Sequence, residues 1–357
     1  MPNPDSGTPV EPTPETNALA LLQAVLRRAR TRIEGSATLK LPAIPALVEY
    51  YLRMIKSQWA GLGRPFTQEQ LDALQRELQT QARDAFAASP SSTLTVTSVA
   101  EPLPKMGISW SIECQTSTFE QKYDEWTRVC KPPLFGALAD AKVMEIAQTL
   151  SVIGKGAVLD VGAGTGRNTL PLARLGLQTD AVEITPAFAE ILREEASKEQ
   201  LNIRVFEGDI LDQAMPLPAN HYSLVVLAEV VTHFRSVDEL RRLLVLVEKV
   251  LVSGGTLLLS AFIARGGYQP DELTRQVSQL TWSSLFTADE LREAASGLSL
   301  ELVSSEPTCE YEKSRQPSKQ WPPTPWFESW SAGTGLFDLP TMKCPMELRW
   351  LTYRKAQ

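Results

Sequence analysis

The sequence predicts an α/β chain: a mostly parallel sheet with helices on both faces, preceded by a mainly helical region. Three observations predict it. A buried strand, Val158-Leu159-Asp160-Val161, turns through glycines at 162, 164 and 166 into a helix. Further apolar strand segments follow at 178–182, 203–210, 223–228 and 257–262, two of them ending in a carboxylate, Glu183 and Asp209. The last segment is entered through Gly254-Gly255.

The glycine turn is the most informative element. A chain that leaves a strand so sharply needs φ > 0, or bare backbone against which a ligand can lie. The helix that follows offers free N–H groups and the positive end of its dipole. A dinucleotide fingerprint would read G-x-G-x-x-G. Here the glycines fall at every second position, Arg167 stands where the third glycine would be, and Asp160 precedes the first by two. An NAD-dependent oxidoreductase is therefore the outside alternative.

The downstream residues are read in order. Glu183, 23 positions after Asp160, ends the second strand, where a carboxylate can accept two hydroxyl hydrogen bonds from a ribose. Ile184 follows it as an apolar surface for an adenine face, and Asp209 and Ile210 end the third strand. Ala228-Glu229-Val230-Val231-Thr232-His233 closes the fourth.

This order of motifs, D-x-G-x-G-x-G first and a Gly-Gly turn last, resembles the class I S-adenosylmethionine (SAM) dependent methyltransferases over roughly residues 155–262. The resemblance implies a seven-stranded sheet whose last strand is antiparallel. It implies SAM as cofactor, with S-adenosylhomocysteine as product. It also implies a cofactor site containing Asp160, Gly162, Ala163, Gly164, Glu183, Ile184, Asp209, Ile210 and Ala228. Upstream, Tyr123, Trp126, Arg128 and Lys131 occupy the segment that closes over SAM in many relatives, where Arg128 or Lys131 could pair with its carboxylate. Cys130 as a soft nucleophile lacks the cysteine pattern of arsenite methyltransferases.

Composition agrees with a soluble enzyme. The 357 residues suffice for one large domain and an accessory one. A net charge of −7 argues against a general nucleic-acid surface. No run of 18 or more apolar residues occurs, so neither a membrane span nor a membrane partner is expected. The N-terminus lacks a signal-peptide pattern. Cysteines at 114, 130, 309 and 344 and histidines at 221 and 233 show no metal-ligand spacing, so no metal and a cytoplasmic location are expected.

Organisation follows. Residues 1–16 are Pro-rich and polar and read as a disordered tail. Residues 17–115 read as an accessory region with helices near 17–33, 43–58 and 68–88, the last opened by a Thr67–Gln70 capping box, and short strands at 93–99 and 108–114. Helices near 118–129 and 138–150 then lead into the glycine turn. Residues 116–357 read as the methyltransferase domain. Its last two strands, 300–304 and 347–353, are separated by an insertion at about 307–345 holding Trp321, Trp326 and Trp330 among prolines. So long a connection reads as a lid over the substrate, or as glue to the accessory region.

Transfer from SAM needs alignment and exclusion of water, and a general base only where the acceptor must lose a proton. His233 is the candidate base, with Glu229 as alternative base or orienting group; His221 lies before the strand, at the wrong end. Three functions stay open: methylation of a small molecule under the lid, methylation of a side chain of a partner protein, and SAM binding without turnover. Oligomeric state is open.

Overall fold

Thr67 opens the helix Gln68–Ala88 as its sequence requires: Thr67 Oγ1 accepts from the Gln70 N–H, and the Gln70 side chain accepts from the Thr67 N–H. Leu71, Leu74, Leu78 and Ala82 recur at helix spacing and are buried, together with Tyr51, Ile55 and Trp59 of the helix Val48–Gly61. These helices pack with a three-stranded antiparallel sheet, β1 (Ser36–Pro42), β2 (Thr93–Ala100) and β3 (Ile108–Gln115), ordered β1-β2-β3. The region is thus not simply helical. β1 escapes a local reading because its partner strand lies more than fifty residues on. A computed structural model describes residues 17–30, 32–101, 107–117, 121–123, 128–129, 133–152, 156–212, 215–337, 339 and 344–357, in two units, Met1–Thr116 and Ser117–Gln357.

The second unit is built on β4 (Ala157–Val161), β5 (Gln178–Glu183), β6 (Ile203–Glu207), β7 (Tyr222–Leu227), β8 (Leu251–Ala264), β9 (Leu285–Phe286), β10 (Leu300–Pro307) and β11 (Met346–Lys355). β4 is buried throughout, and β5 and β7 nearly so, as parallel strands covered on both faces must be. Seven strands run in the order β10-β11-β8-β7-β4-β5-β6. Neighbours from β6 to β8 pair in parallel, while β11 is antiparallel to both β8 and β10. The chain winds outward from β4 through β5 to β6, then returns to place β7 on the other side. The crevice of an open α/β sheet lies at such a switch, beyond the carboxyl ends of the strands.

Two details depart from the sequence reading. The sheet has eight strands, because β8 outruns β7: its ladder with β7 ends at Leu259, and Phe262 and Ile263 pair instead with Leu285 and Phe286. Gly254-Gly255 is not a turn ahead of the strand. It lies inside β8, at a register shift against β7, with Gly254 at φ 72°. A Cβ on Gly255 would stand 2.9 Å from the Val252 carbonyl oxygen and 3.2 Å from that of Tyr222. Within the insertion, Thr308–Arg315 and Phe327–Ser331 are helical. No helix of the described residues is long and apolar enough to cross a membrane.

Candidate active site

The glycine turn has the backbone its sequence demands. Gly162, Gly164 and Gly166 have φ of 68°, 54° and 99°. A Cβ on Gly162 would lie 2.4 Å from Val230 Cγ2, so the turn can pass the loop after β7 only with a glycine there. Beside it is a cavity of about 600 Å³ at the carboxyl ends of β4, β5 and β7, within the usual range for small-ligand sites.

One wall gathers the residues the motifs predicted. Asp160 is buried and accepts from Thr169 Oγ1 at 2.6 Å. Burial pushes its carboxyl up to about 7, although Thr169 and Arg167 both act to lower it. Glu183 accepts from the Gly164 N–H at 2.7 Å and the Thr185 N–H at 2.8 Å, tying the glycine turn to the tip of β5. Burial raises its pKa as well, against those bonds. Asp209 accepts from the Leu211 N–H at 2.8 Å, and Ile184 leaves 41% of its surface open. Ala163, Ile210 and Ala228 complete this wall.

The donor set fits a phosphate-free, positively charged nucleoside. Glu183 and Asp209 offer acceptors for hydroxyl and amino hydrogens, and Ile184 offers an apolar face. The cation among the described lining residues is Arg167, and it is committed: Nη1 binds Asp140 Oδ1 at 2.5 Å and Nη2 binds Glu229 Oε1 at 2.8 Å. A diphosphate would meet carboxylates here without a spare counter-charge, which disfavours a dinucleotide.

Glu229 is consequently held rather than loose. Its φ is 63°, left-handed for a residue with a side chain, at a cost of about 1–3 kcal/mol. Its N–H donates to Ser260 Oγ at 2.7 Å, its carbonyl accepts from Thr232 Oγ1 at 2.8 Å, and Arg167 holds its carboxylate. Burial raises its pKa while Arg167 opposes the rise. This fixed corner aims the short 3-10 turn Val231–His233, pinned again where the Ser284 N–H donates to the Thr232 carbonyl at 2.8 Å.

His233 lines the cavity with Nε2 3.3 Å from the Tyr123 hydroxyl. Burial lowers its pKa to about 4, so the ring is neutral near pH 7. Burial likewise pushes the Tyr123 phenol up, keeping it protonated. Tyr123 packs among Phe188 and Trp282, with ring centroids 5.3 and 5.2 Å away, and Phe135 at 6.4 Å. Trp326 and Trp330 line the cavity from the insertion, edge to face at 5.5 Å, and Trp330 Nε1 donates to Ser283 Oγ at 2.8 Å. Trp321 packs instead on Phe327, at 5.7 Å.

Every site residue predicted from sequence lines this cavity except Arg128, which is solvent-exposed and outside the lining. Trp126, Cys130 and Lys131 lie outside the described residues. Sequence reasoning missed Phe135, Phe188 and Trp282, and the Asp140 partner of Arg167. Phe188 had a signal, since Pro186 starts the helix and sets Phe188 in its first turn. Trp282 had none: it reaches the cavity from a left-handed backbone, φ 52°.

Comparison with known proteins places the class. Residues 158–255 match the family described as "Methyltransferase domain". Over 106 residues the chain is 31% identical to the demethylmenaquinone methyltransferase of Tropheryma whipplei (strain Twist), covering 29% of this chain and 41% of that protein. The chain thus spans about two fifths of the length of this curated relative. Among solved structures, geranyl diphosphate C-methyltransferase from Streptomyces coelicolor A3(2) is similar at 14% identity and TM-score 0.46, covering 67% of this chain and all of that one. By that family match, residues 158–255 make up a methyltransferase domain.

Proposed function

We propose that this protein methylates a small, uncharged, largely apolar acceptor through a hydroxyl group, enclosed under the Trp-rich insertion, with His233 as proton acceptor. One observation carries the reading. The cavity wall beyond the cofactor residues is rich in aromatic rings, and the His233–Tyr123 pair lies among them, with Thr232, Thr281 and Ser329 as further polar groups. Phe135, Phe188, Trp282, Trp326 and Trp330 can bury a flat apolar body but provide no counter-charge for a phosphate or carboxylate.

When bound, SAM supplies a methyl group already activated by its positively charged sulfur. The carboxylates of Asp160, Glu183 and Asp209 would hold it through its hydroxyl, amino and charged groups. The aromatic walls orient the acceptor and exclude water, which is most of what transfer to an activated methyl requires. His233 Nε2 takes the hydroxyl proton as the acceptor oxygen takes the methyl group. Its low pKa keeps it unprotonated across neutral pH. Glu229 acts by fixing the turn that carries His233 rather than by titrating. The N-terminal unit is an accessory to this domain.

Calorimetry with SAM and with NAD, on protein freed of copurified cofactor, tests the cofactor; heat with NAD and none with SAM sinks the reading. Transfer of labelled methyl to a panel of hydroxylated aromatic compounds tests the acceptor. Replacing His233 by Ala is expected to cut turnover about 10²- to 10⁴-fold with SAM affinity nearly unchanged. Wild-type turnover in that variant would retire His233 as the base.

A further inference from the structure

The helix Ala18–Arg30 buries none of its residues. Leu19, Leu21, Leu22, Val25 and Leu26 leave between 46% and 64% of their surface open to solvent. At 100° per residue these five fall within one sector of about 160°, the width of a core-facing stripe. Isolated helices of this length are marginal in water, even with a cap such as the one Asn17 Oδ1 gives to the Leu19 and Ala20 N–H groups. A stripe of this size calls for an apolar surface to cover it.

Charge says which surface. Arg27, Arg28, Arg30 and Arg32 cluster at the end of this helix, and Glu34 is the one acid between residues 17 and 35, in a chain of net charge −7. On the helical wheel Arg28 borders the apolar sector on one side, Arg30 borders it on the other, and Arg27 lies opposite. Long basic side chains at the borders of an apolar face are placed to reach headgroups while the leucines enter the acyl boundary. A second copy of the helix would offer leucines but no acid to meet these arginines, because Ala18–Arg30 contains none.

We propose that Ala18–Arg30 is an in-plane anchor that holds this protein on an anionic lipid surface. Composition alone predicts no membrane partner. The exposed face changes that expectation to peripheral attachment without a span.

The test is co-sedimentation of the full chain with phosphatidylcholine vesicles, with and without phosphatidylglycerol, at low and high salt. Binding is expected to the anionic vesicles, at least about tenfold stronger than to neutral ones and weakened by salt, since each basic residue near such a surface adds about 1 kcal/mol. Leu22→Glu with Val25→Glu, and separately Arg27→Glu with Arg30→Glu, should each lower partitioning at least about tenfold. Both pairs are surface changes, so thermal melting and SAM affinity should stay at wild-type values. Three results overturn the proposal. One is wild-type protein left in the supernatant with anionic vesicles at low salt, and another is undiminished binding by either double variant. The third is a dimer that Leu22→Glu with Val25→Glu dissolves while vesicle binding is absent.

Discussion

The two ends of one sheet treat buried carboxylates in opposite ways, and strand β5 carries an example of each. At its amino end, Asp180 accepts from the Tyr222 hydroxyl at 2.6 Å and pairs with Arg204 at 2.5 Å, so that β5, β6 and β7 are cross-linked by a set of groups that satisfy one another. Lys355 closes the same edge by donating to Asn220 Oδ1 and to the Glu248 and Leu251 carbonyls. Three residues along β5, at the carboxyl end, Glu183 is held by backbone N–H groups without a cation, and burial raises its pKa. Asp160 beside it is held by the Thr169 hydroxyl, and burial raises its pKa despite Thr169 and Arg167. Charge is matched within the protein where the sheet is only being held together. At the carboxyl end, apart from the Asp140–Arg167–Glu229 set, it is left unmatched, as the proposed binding of a positively charged ligand requires.

Breaking this contrast should have graded effects. The largest is expected from Arg167→Met, which strips the counter-charge from the buried Asp140 and Glu229 and should cost about 3–5 kcal/mol in a urea melt. A loss under 1 kcal/mol would show that the corner around Glu229 is not held by this pair. Next, Glu183→Ala should weaken SAM binding by about 1–3 kcal/mol by calorimetry while leaving the melt close to wild type. At the opposite end the pattern should invert: Tyr222→Phe should cost about 1 kcal/mol of stability and leave SAM affinity unchanged. A drop in SAM affinity there would erase the distinction between the ends.

The smallest effect is one of pH. The Asp160 carboxyl, raised to about 7, is partly protonated in the ligand-free site, and a positively charged ligand favours its ionised form. SAM affinity should therefore rise from about pH 5.5 to 7.5 and then level, with proton release on binding in calorimetric buffers of different ionisation heat. For the empty fold the sign is opposite. Stability from the raised Asp160 is present below its ordinary value of 3.8 and is lost as pH rises through about 7. Affinity that falls with pH over this range would contradict the assignment.

Much of this site was legible because its signals are local. The glycines at every second position, the carboxylates at strand tips and the capping box at Thr67 each state a backbone need within a few residues. What was hidden depends on partners distant in sequence. Asp140 meets Arg167 across 27 positions, and Glu312, from the insertion, accepts from the Ala141 and Lys142 N–H groups across 170 or so. β9 is two residues long and exists because β8 has ladder positions to spare. The left-handed backbones of Glu229 and Trp282 run against residue preference, and nothing in the local sequence announces them.

The unmatched carboxylates also bear on how the enzyme lets go. Among the described residues, Asp160, Glu183 and Asp209 line the cavity while Arg167, its one cation, is taken by Asp140 and Glu229, so the wall has an excess of negative charge. On the proposed reading, transfer would leave a cofactor without its positive charge, which this wall would hold less strongly. The spent cofactor should dissociate faster than the fresh one. Competition calorimetry with the two would read that asymmetry directly, as a product-release step driven by the same wall that gathers the reactant.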